Sequence, residues 1–146
     1  MLTLSLLSSL TFTQTHAEDL HHIRIGVEGA YPPFSWTTPD GQLGGFDIDM
    51  AKALCKEMQA ECVLVSQNWD GMIPALITRK FDAIIASMSI TEERKKKVAF
   101  TDKYYQITSR FVTTKNNNIV FTPEGLNGKT IGVQRSSTYD KYISEK

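Results

Sequence analysis

Ile23, Ile25 and Val27 alternate with Arg24, Gly26 and Glu28, the period of two that marks a strand with one buried face. Pro32 and Pro33 cannot continue it, because consecutive prolines supply no amide donors, so the strand opens into an exposed loop carrying Tyr31 and Phe34. Pro39-Asp40-Gly41 predicts the turn of a small hairpin. Beyond Gly44-Gly45 the period lengthens. With Asp47 as its cap, a helix sets Ala51, Leu54, Cys55 and Met58 on one face to pack on a sheet. Residues 62–65 form a short apolar strand, and residues 69–78 predict a second helix with Ile73, Leu76 and Ile77 buried and Pro74 early enough to be tolerated. A third strand covers residues 81–86. Strand, helix, strand, helix, strand predicts a parallel α/β sheet with right-handed crossovers.

The pattern then becomes less regular. Lys95-Lys96-Lys97 is a solvated helical face, residues 98–100 predict a short strand, and residues 107–113 a longer extended run. Asn116-Asn117-Asn118 marks a boundary, Thr122-Pro123-Glu124 starts a helical turn and Gly128 ends it. Residues 129–133 predict another strand, and Ser136-Ser137-Thr138 caps a helix running to Lys146. A lone strand and helix cannot bury a core, so this second α/β unit is expected to be incomplete.

Composition narrows the class. Lys plus Arg and Asp plus Glu both number 16, so no broad electrostatic surface for nucleic acid or anionic membrane is implied. Residues 1–17 are leucine-, serine- and threonine-rich, end in Thr15-His16-Ala17 and carry no charged residue, which predicts a secretory signal lacking the usual basic start. Its apolar stretch is too short to span a bilayer, and no cysteine at the expected cut supports a lipid anchor. Cys55 and Cys62 fit neither a redox C-x-x-C pair nor a zinc site. In an exported protein they read as a disulfide between a helix end and the next strand, or else as two free buried thiols.

Ligands of parallel sheets bind outside the carboxyl ends of the strands. Three loops meet there, over residues 28–34, 67–69 and 87–94, and bring Tyr31, Trp69 and Arg94 near one another. Thr91 is a natural N-cap, so Arg94 falls in the first helical turn, where the macrodipole favours an acid. An arginine there, next to Ser87 and Ser89, makes a receptor for a small carboxylate. The plainer alternative is a surface arginine paired with Glu92 or Glu93.

The segments Ala30-Tyr31-Pro32-Pro33-Phe34, Gly44-Gly45-Phe46-Asp47-Ile48-Asp49-Met50-Ala51, Trp69-Asp70-Gly71-Met72-Ile73-Pro74-Ala75-Leu76, Asp82-Ala83-Ile84 through Arg94, and Ala99-Phe100-Thr101-Asp102 occur in order. Together they resemble the family 3 extracellular solute-binding proteins of bacterial amino-acid ABC importers. The cysteine pair looks most like the branch that binds arginine, lysine, ornithine or histidine. The resemblance implies a two-lobed α/β fold of the type II periplasmic-binding-protein kind. Residues 18–107 would form lobe one, and residues 108–146 a hinge strand and the start of an incomplete lobe two. It implies a periplasmic, monomeric receptor, not an enzyme, that has no cofactor or metal, binds a free L-amino acid and delivers it to an inner-membrane permease.

Residue by residue, the resemblance gives Arg94 the ligand α-carboxylate, and Ser87, Met88 and Ser89 the α-ammonium and carboxylate. Tyr31 and Trp69 would sandwich the ligand side chain, Glu28 would face a distal nitrogen, and Ser137 and Thr138 would close on the carboxylate. Gln134 and Ser136 stand where the family commonly has an apolar residue and a glycine. Three other readings share the pattern: a cyclohexadienyl dehydratase-like enzyme, an extracellular sensor domain, and a non-functional truncated fragment. For the enzyme the residues offer little, since His16, His21 and His22 lie in or beside the leader and no nucleophile elbow is present.

Overall fold

A computed structural model describes residues 21–145; the expected leader, its cut and His16 lie outside them. The elements are β1 (His22–Val27), β2 (Ala30–Tyr31), β3 (Ser35–Thr37), β4 (Leu43–Gly44), α1 (Phe46–Glu57), β5 (Glu61–Ser66), α2 (Met72–Ile77), β6 (Ala83–Ile84), α3 (Glu92–Lys95), α4 (Pro123–Leu126) and α5 (Thr138–Ser144). The parallel sheet has the order β5-β1-β6, with Ile23 opposite Cys62 and Ile25 opposite Leu64 and Ala83. The hairpin forms as its turn signal predicts, and β2 joins it to make an antiparallel sheet β2-β3-β4. Tyr31 is therefore paired backbone to backbone with Ser35, not in a free loop.

Alternation in β1 sorts the core into two layers. Ile25 and Val27 face α1 and meet Ile48, Ala51 and Cys55. On the other face Met72, Ala75, Phe81 and Ala86 pack together, and Gly26 lets Phe81 lie where a side chain would collide with it. Cys55 and Cys62 form a disulfide that ties α1 to β5.

Three expectations about the helices are corrected. Asp47 is not the cap of α1: Gly45, at φ 120, takes that place, and Asp47 falls inside the first turn and is fully buried. Leu54 lies at the margin of the buried stripe and Met58 beyond the last helical residue, so both are exposed. The chain enters α2 through a tight turn at Trp69–Gly71, which shifts the phase of the helix. Met72 and Ala75 thus face inward and Ile77 outward.

Among the described residues no strand forms over 98–100, 107–113 or 129–133. An extended apolar run becomes a strand only when another backbone pairs with it. Here Ile107, Phe111, Val112 and Val133 stay exposed. The short helices follow their signals: Thr91 accepts from the Arg94 amide, Thr122 from Gly125, and Ser137 from Asp140. No described helix is long and apolar enough to cross a membrane.

Candidate functional site

The segments that follow β1, β5 and β6 open onto one cleft of about 520 Å³. Glu28, Tyr31, Trp69, Ser87, Met88, Ser89, Arg94, Ser137 and Thr138 all line it.

Arg94 is the most constrained of these. Thr91 caps its helix, and its guanidinium donates from Nη1 to the Ser89 carbonyl at 2.9 Å and from Nη2 to the Ser136 carbonyl at 3.3 Å. The guanidinium carbon lies 5.3 Å from the centre of the Trp69 ring. Glu92 pairs with Lys95 and Glu93 with Lys141, so the plainer reading of Arg94 as a partner of either acid fails. Burial lowers its pKa from the usual arginine value, and the nearby Glu93 charge offsets this only in part. Two of five donors are committed to carbonyls, and no described carboxylate bonds to the rest.

Glu28, at the end of β1, is buried, and Gln134 Nε2 donates to its Oε1 at 2.5 Å. Burial pushes its pKa up, the Gln134 bond opposes this, and the Asp47 charge adds to it. Tyr31 stacks on Phe34 at 5.4 Å, and burial raises its phenol pKa. Met88 packs against the Phe81 layer while lining the cleft. The Ser137 hydroxyl is occupied as the cap of α5, and Thr138 is the first residue of that helix. Arg135 pairs with Asp70 across the rim.

The Ser87 surroundings contain two residues that the sequence did not assign to the site, Asp47, expected only as a helix cap, and Tyr104. Ser87 Oγ donates to Asp47 Oδ2 at 2.6 Å, Tyr104 OH donates to Asp47 Oδ1 at 2.9 Å, and the Ser87 amide donates to Tyr104 OH at 2.9 Å. Burial raises the Asp47 pKa against the two hydroxyl bonds. Burial, together with the Asp47 charge, pushes the Tyr104 phenol upward as well. An acid directly after Gly44-Gly45-Phe46 was a visible signal, but its partners lie 40 and 57 residues away. Among the described residues no group of three or more His, Cys, Asp or Glu could hold a metal.

The sequence pattern of bacterial extracellular solute-binding proteins, family 3, matches residues 23–143. The L-arginine-binding protein of Pseudomonas aeruginosa is 51% identical over 143 residues, covering 98% of this chain and 53% of that protein. The histidine-binding periplasmic protein of Escherichia coli K12 is 44% identical over 147 residues, covering 99% and 56%. An ancestral arginine-binding protein bound to arginine superimposes with a TM-score of 0.81 at 41% identity, covering 86% of this chain and 55% of that one. The chain thus spans about half the length of the curated relatives it matches.

Proposed function

The chain belongs to the bacterial extracellular solute-binding proteins of family 3, and on that premise we propose that it carries the amino-acid-binding cleft of a periplasmic receptor for an ABC importer. The ligand is a free basic amino acid: arginine, lysine, ornithine or histidine. The protein acts as a monomeric receptor, not an enzyme, and a leader over residues 1–17 sends it to the periplasm. Residues 18–107 belong to lobe one, and residues 108–146 to the hinge and the start of lobe two.

Arg94 carries this reading. A half-buried guanidinium held by two carbonyls and an indole, with no acid among the described residues bonded to its remaining donors, is complementary to a carboxylate. Glu28 supplies the opposite charge for a distal ammonium or guanidinium. Tyr31 and Trp69 flank an aliphatic or cationic side chain, with a cation-π contribution of about 1 to 2 kcal/mol once water is excluded. Ser89, Met88, Ser137 and Thr138 shape the remaining wall.

Isothermal titration of the chain with L-arginine, L-lysine, L-histidine, L-glutamine and L-glutamate tests the class. Basic amino acids are expected to bind and glutamate to be rejected. Arg94→Ala should weaken arginine binding by about a hundredfold or more, the value of a two-pronged charge-assisted contact. Equal binding by wild type and Arg94→Ala would remove the basis of the proposal.

A further inference from the structure

Resting on the amino-acid reading above, we propose that Asp47 and Tyr104 are positioning residues that make Ser87 a pure hydrogen-bond acceptor toward the cleft. Ser87 then meets the ligand's ammonium and never its carboxylate.

A serine has one hydroxyl proton and one amide proton to give. Both are used inside the protein. The hydroxyl proton goes to Asp47 at 2.6 Å, the length of a charge-assisted O–H···O⁻ bond, and the amide proton goes to the Tyr104 oxygen. Tyr104 spends its own proton on the second Asp47 oxygen, which leaves its lone pairs free to accept from Ser87. Tyr105 also interacts with the Ser87 side chain. With its proton spent on Asp47 at 2.6 Å, Ser87 Oγ keeps only lone pairs to offer a ligand. Arg94, by contrast, offers only donors. The cleft thus has an accepting side and a donating side, and a zwitterion has one way to lie between them.

Asp47 is fully buried on the rigid first turn of α1, so it does not itself reach the ligand. The serine it bonds has its backbone at φ 53, a state that serine seldom adopts. Ser87 Oγ carries its hydrogen bond to the wall of the cleft. Glu28, Tyr104 and Tyr105 are the ionisable groups electrostatically linked to this cluster.

The test compares L-arginine with 5-guanidinopentanoic acid, the same molecule without its α-amino group. Wild type should prefer arginine by about tenfold, one charge-assisted bond. Ser87→Ala and Asp47→Ala should each abolish that preference, and the double variant should lose no more than either alone. A purely structural role would instead weaken both compounds equally in Asp47→Ala and overturn the proposal. Should Asp47→Ala not fold, carbon-13 NMR titration of the Asp47 carboxyl decides. Ser87→Ala must raise its pKa, since a donor to the carboxylate is lost, and an unmoved titration refutes the clamp. If wild type binds neither compound, the amino-acid reading fails, while the carboxyl titration still reports on the clamp.

Discussion

A carboxylate taken out of water protonates more readily, and Glu28 is the cleft residue where that matters for binding. Burial lifts its pKa above the ordinary glutamate value, even with the Gln134 amide favouring the charged form. Its attraction for a distal cation is full well above that raised pKa and disappears as pH falls through it. Arginine affinity should therefore decline on acidification at a higher pH than an exposed glutamate would produce, while glutamine affinity stays nearly level. Glu28→Gln should flatten the arginine profile and lower affinity by about tenfold near neutrality. Parallel profiles for the two ligands, measured by calorimetry between pH 4 and 8, would remove Glu28 from the distal site. The same physics explains why Arg94 tolerates its place at a helix start: two carbonyls and an indole replace part of its lost hydration.

At the scale of elements, β1 and β6 are joined by only a short ladder, and a side-chain clasp reinforces it. Arg24 grips Asp82 with Nε and Nη2 at 3.0 and 2.6 Å, and its own amide donates to the same carboxylate. These bonds lower the Asp82 pKa from 3.8 to about 2. A depressed carboxylate stabilises the fold above its unfolded pKa and loses that contribution as pH drops through the folded one. The window here runs from about pH 4 down to about pH 2. The pair is nearly half exposed, so solvent screening limits its worth to about 1 kcal/mol. Asp82→Asn should cost about that much at pH 7 and progressively less as pH falls from about 4 toward about 2, read from urea unfolding at each pH. Glu28 and Asp47 shift the opposite way, so the difference between wild type and Asp82→Asn isolates the clasp. The α1-to-β5 disulfide is a second clasp, closing a loop short enough to contribute about 2 to 3 kcal/mol in the chain-entropy account.

Across the whole molecule, what could be read in advance was what short-range pattern decides. Ile23, Ile25 and Val27 announced β1, Thr91 announced the cap before Arg94, and the three loops of the cleft followed from a parallel sheet. The Asp47 cluster was illegible, because its meaning lies in Ser87 and Tyr104, far along the chain, and cap chemistry offered a sufficient local reason for an acid there. Residues 98–133 failed for another reason. Val112 and Val133 are good strand formers, but propensity without a pairing backbone yields no sheet. The far wall of the cleft is correspondingly thin. Gln134 on Glu28, Arg135 on Asp70, Ser136 on Arg94 and Lys141 on Glu93 hold it, mostly through exposed contacts of modest worth.

Contact between the Arg94 guanidinium and the Trp69 indole has an optical consequence. The chain has two tryptophans, and Trp36 sits on the hairpin, so a Trp36→Phe chain glows from the cleft alone. A carboxylate drawing the cation off the ring changes the field on that fluorophore, and arginine should shift its emission in a saturable way. An unaltered spectrum at saturation would mean that the ligand lodges elsewhere.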